Sequence, residues 1–396
     1  MPNVVLGVSG SIAAYRAADL ARELMRAGWT VRACLTDSAE KFVSRQLFEA
    51  LTGQPCLVSS FDEPDTGRMA HIDWARQADL MMVAPATANV LNKLANGVAD
   101  DMLTTLALAF EGPFLLAPAM NPSMYAHDTT QASIRTLSAR GAIFVEPESG
   151  DVACGEQGQG KLASIERIVS FAETVRRRSR RLSGKRVLIT AGPTQEPIDD
   201  VRYLTNRSSG KMGIALARAA LLMGAEVDLV CGPTSEPLPL RADVARVRTA
   251  EEMLEAARSR VGRADWIIGA AAVADFRPAE YRPGKIRRSG ETLEIRLVPN
   301  PDVLAELARA ARAGTVKIGF AAEPDPELDT AVEKLRRKGL DAIAVNDVSR
   351  DDIGFDVDSN ELTLLFADGG REASGRQPKL GCGLWLLEQV ASRLQR

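Results

Sequence analysis

Three segments in the first half of the chain place small and polar residues directly after apolar runs that predict β-strands. Gly10 and Ser11 follow the run at residues 3–8, and the loops 84–89 and 117–125 follow two later runs. Open α/β sheets bind ligands at the carboxyl ends of their strands, and N–H groups at the start of a helix accept phosphate. Glycine in such a turn can also be present only for the backbone conformation, and proline commonly ends a strand. Each segment by itself is therefore compatible with a ligand site and with a purely structural turn.

A polar insertion in the second half is another candidate anion site. Residues 189–213 stand between a predicted strand and its helix, and they include Ser208 and Ser209. The segment is not a Walker A loop, because Thr205 stands where its first glycine belongs and Met212 where its Ser or Thr belongs. Its backbone and hydroxyl donors can still bind phosphate at a helix start.

Two βαβ patterns predict the architecture that positions these loops. In the first pattern, predicted strands at residues 3–8 and 29–35 flank a helix with one apolar face. In the second pattern, predicted strands at residues 185–190 and 225–230 flank another helix of this kind. The apolar positions are Ala17, Leu20, Ala21 and Leu24 in the first helix and Leu216, Ala219, Ala220 and Met223 in the second. The sequence therefore predicts an α/β protein with two Rossmann-like parallel-sheet domains.

A charged segment, Arg176–Arg186, lies between the two patterns and has Leu182 as its only large apolar residue. A basic run can bind nucleic acid, but the acidic total of the chain favours a solvated interdomain segment. We therefore predict a first domain at residues 1–178, a linker at 179–185 and a second domain at 186–396, with the boundary near residue 182.

The composition of the 396 residues is that of an ordinary folded protein, with 45% hydrophobic and 26% charged residues. A net charge of -3 and a pI near 5.7 provide no positive field for nucleic acid or an anionic membrane, so neither partner is expected. Five cysteines without a C-x-x-C pair are expected to be reduced thiols. The chain enters an apolar strand without a basic leader and has no run long enough to span a bilayer, so we expect a cytoplasmic protein.

Three motifs of the first half resemble those of the homo-oligomeric flavin-containing cysteine decarboxylases. They are His71-Ile72-Asp73, the loop Pro85–Asn89 and the loop Pro118–Tyr125, in which Tyr125 replaces a tryptophan. The resemblance implies a flavodoxin-like flavoprotein domain in which His71 assists an oxidative decarboxylation and Asn121 holds the departing carboxylate. It also implies that FMN is bound by Gly10, Ser11, Thr36, Thr87, Ala88, Asn89 and Met120.

The segment Ser149–Leu162 resembles the lid of the bifunctional members of this group, which carries the motif A-C-G-E-x-G-x-G. Loss of CO2 from a cysteine amide leaves a carbanion without an electron sink, so the flavin first oxidises the thiol to a thioaldehyde. The resulting enethiol must then be reduced and protonated away from water. The resemblance implies that the lid closes over the ligand and that Cys154 is the acid.

The insertion Ile189–Gly213 resembles the phosphopantothenate–cysteine ligases over its whole length. The resemblance implies that Lys285 neutralises charge while the substrate carboxylate attacks the α-phosphate of CTP, and that Asn206 orients the acyl group. Mg²⁺, with Asp275 as its expected ligand, shields the leaving pyrophosphate, and the amine of cysteine then displaces CMP. The implied CTP contacts are Gly269, Ala270, Ala271, Asp275, Lys285, Asn300, Pro301, Asp302, Val303, Phe320, Lys334 and Lys338.

Nearly the whole chain is thus similar to the bifunctional enzymes of coenzyme A biosynthesis. The similarity implies 4'-phosphopantothenate, cysteine and CTP as substrates, FMN and Mg²⁺ as cofactors, and 4'-phosphopantetheine as the product. It also implies a homo-oligomer, a dodecamer built from trimeric contacts of the decarboxylase half and dimeric contacts of the ligase half.

Two other functions were weighed against this one. A nicotinamide oxidoreductase is disfavoured, because neither half has a G-x-G-x-x-G motif followed by a ribose-binding acid. A non-catalytic flavin-binding subunit is disfavoured, because the residues with implied catalytic roles are all retained: His71, Asn121, Cys154, Asn206 and Lys285.

Overall fold

The computed structural model describes residues 1–61, 67–151, 155–287, 292–323, 328–347 and 357–394. The chain forms two compact units, Met1–Arg177 and Arg178–Arg396, called the first unit and the second unit below. Within the described ranges, no helix combines the length and the apolar character needed to cross a membrane.

The first unit is a doubly wound parallel sheet with one added hairpin. Its strands are β1 (Asn3–Val8), β2 (Thr30–Leu35), β3 (Leu80–Ala86), β4 (Phe114–Pro118), β5 (Ile143–Phe144), β6 (Glu148–Asp151) and β7 (Gln157–Lys161). Its α-helices are α1 (Arg16–Arg26), α2 (Arg45–Thr52), α3 (Ala70–Gln77), α4 (Ala88–Asn96), α5 (Met102–Ala109), α6 (Pro122–Ala126), α7 (Asp128–Ala139) and α8 (Ile165–Arg177). The parallel sheet has the flavodoxin-like order β2-β1-β3-β4-β5, and β6 and β7 pair antiparallel.

Burial explains why these segments form the first sheet. All seven residues of β3 are buried, as expected for a central parallel strand with helices on both faces. β3 extends to Ala86 and β4 to Pro118, so the two polar loops begin later than residues 84 and 117, where they were predicted to begin. The apolar face predicted for the first helix is confirmed, and it buries Ala17, Leu20, Ala21 and Leu24.

The second unit contains a larger sheet and several short ribbons. Its strands are β8 (Arg186–Ala191), β9 (Gln195–Pro197), β10 (Tyr203–Thr205), β11 (Glu226–Cys231), β12 (Asp243–Arg246), β13 (Trp266–Gly269), β14 (Phe276–Pro278), β15 (Leu297–Pro299), β16 (Val316–Glu323), β17 (Ala342–Asp347), β18 (Ser359–Asn360), β19 (Thr363–Phe366), β20 (Arg371–Ala373) and β21 (Gln377–Pro378). Its α-helices are α9 (Lys211–Leu222), α10 (Ala250–Val261), α11 (Val303–Ala310), α12 (Leu328–Arg337) and α13 (Lys379–Leu394).

The eight-stranded sheet of the second unit has the order β12-β11-β8-β13-β16-β17-β19-β20. The strands from β12 to β17 are parallel, and β19 and β20 add an antiparallel edge. The six parallel strands follow the Rossmann order, in which the direction of winding reverses between β8 and β13. The predicted class of two Rossmann-like α/β domains is therefore confirmed.

The residues predicted as a linker, 179–185, lie in the second unit. Leu182 is fully buried there, and its N–H donates to the Met223 carbonyl at 3.2 Å. Leu182 therefore anchors the segment under the end of α9, while residues 180, 181 and 183–185 are exposed.

The described cysteines are all buried: Cys34, Cys56, Cys231 and Cys382. Burial raises the pKa of the Cys231 thiol to about 11, against a smaller lowering by Arg246. Burial likewise raises the pKa of the Cys382 thiol to about 11. These thiols stay protonated at neutral pH.

Candidate active sites

Ser9 ties the ends of β1 and β3 together at the point where the first sheet reverses its winding. Its hydroxyl donates to the Pro85 carbonyl at 2.8 Å and accepts the Thr87 N–H at 3.0 Å. A Cβ on Gly10 would lie only 2.4 Å from the Cβ of Ser38 in the loop after β2, so this approach requires glycine. The loops that follow β1, β2 and β3 therefore meet in one place.

The hydroxyl groups of Ser11, Thr36 and Thr87 lie in these loops. Each oxygen accepts a backbone N–H two or three residues further along, at 3.3, 3.2 and 3.4 Å respectively. Within the described ranges none of the three donates its own proton in a hydrogen bond. Together with the start of the helical segment after Gly10, they can supply donors to a phosphate group.

The remaining residues predicted to bind the flavin lie at the same edge of the sheet. Ala88 and Asn89 begin α4, where Ala88 is buried and Asn89 is exposed. Met120 follows β4 and is half-buried against the hydrophobic core. The sheet thus places the predicted FMN residues after its β1, β2, β3 and β4 strands.

Asn121 caps α6 with its side chain. Its Oδ1 atom accepts the N–H groups of Ser123 at 2.8 Å and Met124 at 3.4 Å. Because only the amide oxygen can accept these hydrogen bonds, the orientation of the amide is set and its Nδ2 group faces the other way.

The β6–β7 hairpin, residues 148–161, packs on the same loop. The Met120 N–H donates to the Gly160 carbonyl at 3.0 Å, and a Cβ on Gly160 would lie 2.3 Å from the Met120 oxygen. A Cβ on Gly158 would lie 2.8 Å from the Cβ of Pro122. Cys154, the predicted acid, falls between β6 and β7 in sequence and lies outside the described residues.

His71 and Tyr125 have different environments. His71 is the second residue of α3 and is half-buried. Tyr125 is 6% exposed in the hydrophobic core, where burial and the charge of Glu146 raise its pKa to about 12. Tyr125, which stands where the resembled motif has tryptophan, thus packs in the core, and its phenol stays protonated near neutral pH.

A cavity of about 520 Å³ lies in the second unit, next to the start of α9 and the ends of β13 and β16. This is beside the point where the winding reverses, as expected for an open α/β sheet. The predicted site residues that line it are Asn206, Ala270, Ala271, Phe320 and Lys334, together with the hydroxyl residues Ser208 and Ser209.

The cavity also has two lysines that sequence reasoning missed, Lys211 and Lys379. They are the first residues of α9 and α13, and Lys379 is only 6% exposed. A positive charge at a helix N-terminus opposes the helix dipole, so a lysine is unfavourable at the first position of a helix. This unfavourable placement is the sequence feature that could have identified both residues. In this structure the Lys211 Nζ pairs with Asp358 at 2.7 Å, and the Lys379 Nζ donates to the carbonyls of Val357 and Ser359.

Asn206 is held by a short chain of hydrogen bonds. Its Nδ2 donates to the Val273 carbonyl at 2.9 Å, and the neighbouring Thr205 hydroxyl donates to the Thr194 carbonyl at 2.7 Å. The Thr194 hydroxyl in turn accepts the Ala274 N–H at 3.0 Å. The predicted acyl-orienting residue is therefore fixed against the segment that follows β13.

Several predicted nucleotide contacts do not line this cavity. Asn300 and Pro301 line a separate cavity of about 570 Å³, together with Arg258 and Arg277. The others outside the first cavity are Gly269 at the end of β13, Asp275, Lys285, Asp302, Val303 and Lys338. The structure thus brings together only part of the predicted set.

Asp302 and Lys338 form an ion pair with each other in this structure. Asp302 caps α11 by accepting the Ala305 N–H at 3.1 Å, and its carboxylate pairs with the Lys338 Nζ at 2.9 Å. Burial raises the pKa of Asp302, but the ion pair and the N–H outweigh it, so this pKa lies below its usual range. Val303 follows as a buried first residue of α11.

Asp275 and Lys285 are exposed. The Asp275 carbonyl accepts the Asn300 N–H at 2.8 Å, which connects the segment after β13 to the end of β15. Within the described ranges, no three or more His, Cys, Asp or Glu side chains are grouped to hold a metal ion.

Comparisons with known proteins cover both units. Residues 1–177 match the family described as Flavoprotein, and residues 182–394 match the DNA/pantothenate metabolism flavoprotein C-terminal domain. A Bacillus subtilis protein named Coenzyme A biosynthesis bifunctional protein CoaBC is 42% identical over 393 residues, which cover 98% of this chain and 97% of that protein. The protein of the same name from Escherichia coli K12 is 40% identical, with the same coverage of 98% and 97%.

Among solved structures, the C-terminal domain of a Coenzyme A biosynthesis bifunctional protein CoaBC is 37% identical to this chain. The match covers 55% of this chain and 99% of the solved chain, with a TM-score of 0.47. The two curated relatives match almost end to end at 40% identity or more. The chain therefore belongs to the family of bifunctional coenzyme A biosynthesis proteins, which combine a phosphopantothenoylcysteine decarboxylase with a phosphopantothenate–cysteine ligase.

Proposed function

We propose that the two units divide the two reactions of this family between them. The second unit joins 4'-phosphopantothenate to cysteine with CTP, and the first unit decarboxylates the product to 4'-phosphopantetheine with FMN. The observation that carries this assignment is that each sheet reverses its winding where the motif loops of that unit lie. In the first unit these loops follow β1 and β3, and in the second they follow β8 and β13.

FMN fits the first unit because three loops with unused hydroxyl donors meet there. Gly10, Ser11, Thr36 and Thr87 bind its phosphate, and the rest of the cofactor contacts Ala88, Asn89 and Met120. When bound, FMN would supply the oxidation of the substrate thiol, without which the carbanion left by CO2 has no electron sink, and the reduced cofactor would return the two electrons to the enethiol.

The residues around this site bind and protonate the substrate. Asn121 holds the carboxylate that leaves as CO2, with an amide orientation fixed by the two backbone N–H groups on Oδ1. His71 exchanges a proton with the substrate during the oxidative step. The β6–β7 hairpin keeps water away, and Cys154 between its strands donates the proton that completes the product.

In the second unit, the 520 Å³ cavity receives the acyl and phosphate groups. Asn206 orients the pantothenate carboxylate, which attacks the α-phosphate of CTP and releases pyrophosphate. Lys285 stabilises the charge that develops on the α-phosphate. The amine of cysteine then attacks the acyl-cytidylate, and CMP leaves as the amide forms.

Mg²⁺ accompanies CTP in this proposal, with Asp275 as a protein ligand. One carboxylate fits this role because Mg²⁺ commonly takes one or two carboxylates and completes its shell with water and substrate phosphates. We further propose a cytoplasmic homo-oligomer, with trimeric contacts through the first unit and dimeric contacts through the second, together a dodecamer.

The test is to incubate the purified chain with phosphopantothenate, cysteine, CTP and Mg²⁺. The expected products are CMP, CO2 and 4'-phosphopantetheine, and the protein should absorb light at flavin wavelengths. CMP without CO2 would restrict the proposal to the second unit, and CO2 from supplied phosphopantothenoylcysteine without CMP would restrict it to the first. A colourless protein with neither activity refutes both assignments.

A further inference from the structure

Lys285 lies in an exposed strap, residues 281–287, whose backbone is anchored on both sides of the lysine. The Gly284 N–H donates to the Asp200 Oδ2 at 3.0 Å, and the Ile286 N–H donates to the Asp199 Oδ2 at 3.1 Å. The Lys285 side chain itself is exposed to solvent. Its position therefore depends on how firmly the strap is held.

Asp199 is the buried anchor of this strap. Its Oδ1 accepts the N–H groups of Val201 at 2.8 Å and Arg202 at 2.6 Å. Its Oδ2 faces the Arg202 guanidinium at 3.0 Å in addition to the Ile286 N–H. The side chain is 0% exposed, and Arg202 also donates to the Ile286 carbonyl, so both backbone groups of Ile286 are held.

We propose that Asp199 is a positioning residue for Lys285 in the ligase reaction. The inference rests on the proposed function, which places Lys285 at the α-phosphate. Asp199 never touches a substrate in this proposal. It fixes the backbone next to Lys285, so that the ammonium group is in place before CTP binds and need not be ordered during the reaction.

The chemistry of the anchor requires a carboxylate. Both carboxylate oxygens accept hydrogen bonds from N–H donors. Asparagine would replace one oxygen with an NH2 group, which would face an N–H donor and could not accept its hydrogen bond. Burial raises the pKa of Asp199, but the N–H groups of Val201, Arg202 and Ile286 and the charge of Arg202 outweigh it, so this pKa lies below its usual range. Asp199 is therefore ionised at neutral pH. Asp200 is exposed, where water competes for the same hydrogen bonds, and it holds the strap less firmly.

The experiment uses the full chain with the substitution Asp199→Asn. Formation of CMP should fall by about tenfold to a hundredfold, the range that a misplaced catalytic group costs. Decarboxylation of supplied phosphopantothenoylcysteine should be unchanged, since that reaction is proposed for the first unit.

The matched control is Asp228→Asn. Asp228 is another fully buried carboxylate of the second unit, paired with Arg263 at 2.7 Å, but it lies in the first half of β11, away from the carboxyl ends of the strands. Its loss should leave CMP formation close to the parent rate.

A double substitution separates positioning from general damage. If Asp199 acts through Lys285, the chain with Asp199→Asn and Lys285→Gln should make CMP no more slowly than Lys285→Gln alone. Two independent effects would multiply, and that result overturns the proposal.

A second variant keeps the test valid if Asp199→Asn does not fold. Ile286→Pro removes the N–H that the strap offers to Asp199 and leaves the buried carboxylate intact. It should also slow CMP formation, and a parent rate in either variant overturns the proposal. Absence of CMP from the parent chain would refute the proposed ligase function itself.

Discussion

The β6–β7 hairpin and the 281–287 strap each carry or flank a proposed catalytic residue, yet they are attached by different forces. The hairpin is attached by shape, because Gly158 and Gly160 let its backbone approach Met120 and Pro122 more closely than any side chain permits. The strap is attached by charge, through a buried carboxylate. We therefore expect the hairpin to be sensitive to an added methyl group and insensitive to pH, and the strap to show the reverse.

The largest effect is expected from Cys154→Ser, which removes the acid proposed for the segment between β6 and β7. A serine hydroxyl has a pKa far above that of a thiol, which is about 8.5, so the final protonation should stop. Oxidation and loss of CO2 precede this step and should still occur in a single turnover. The flavin should lose its colour and an enethiol should accumulate, as followed by absorbance and mass spectrometry, while CMP forms normally. A parent rate of phosphopantetheine formation would exclude Cys154 from the mechanism.

Lys285→Gln is expected to give the next largest effect. A cation that faces developing phosphate charge acts mainly in the transition state, and its loss typically costs about a hundredfold or more. CMP release should fall accordingly, whereas supplied phosphopantothenoylcysteine should be decarboxylated at the parent rate. Unchanged CMP release would mean that the strap does not bring Lys285 to CTP.

Gly160→Ala tests whether shape holds the hairpin. The added Cβ would lie 2.3 Å from the Met120 oxygen, and overpacking of this kind costs about 1–3 kcal/mol, so decarboxylation should fall roughly tenfold or more. Gly150→Ala is the matched control, because its φ of +157° is close to the +159° of Gly160 and its Cβ would meet only Lys161, at 3.9 Å. Equal losses in both variants would show that backbone conformation, and not contact with Met120, is responsible.

The smallest expected effect is the different response of the two attachments to acid. A carboxylate whose folded-state pKa is lowered stabilises the fold above its unfolded pKa, about 3.9, and this contribution is lost as pH falls through the lower folded value. As pH falls through that lower value, the Ile286 amide, bonded to Asp199, should therefore lose protection from hydrogen exchange. The Met120 amide, bonded to the Gly160 carbonyl, should keep its protection factor over the same interval. Parallel loss at both amides would contradict the difference between the two attachments.

Much of the fold could be predicted from the sequence, because apolar residues recur at the spacing of a helix or a strand. The apolar faces of α1 and α9 appear every three to four residues, and these positions are buried. The extension of β3 beyond Val83 was missed because Pro85 indicates the end of a strand. The structure accommodates this proline where the pairing of β3 with β4 shifts register, between Val83 and Ala86, and proline is tolerated at such irregularities.

The candidate sites were less predictable, because their contacts join distant parts of the chain. Ile286 binds a carboxylate 87 residues earlier in sequence, a relation that periodicity cannot reveal. Lys338 and Asp302, both expected at the nucleotide, pair with each other, since an acid at a helix start attracts a nearby cation. The burial of Lys379 likewise depends on the packing of α13, which its own sequence does not specify.

The buried cysteines have a consequence for an enzyme that handles thiols. In the proposed reactions, free cysteine enters as a substrate and the product ends in a thiol, and the disulfides that such thiols form on oxidation exchange with protein thiolates. With a pKa of about 11, Cys231 and Cys382 are thiolates in only roughly one molecule in ten thousand at pH 7, and the thiolate is the form that attacks disulfides. Cys231 and Cys382 are therefore protected from such exchange.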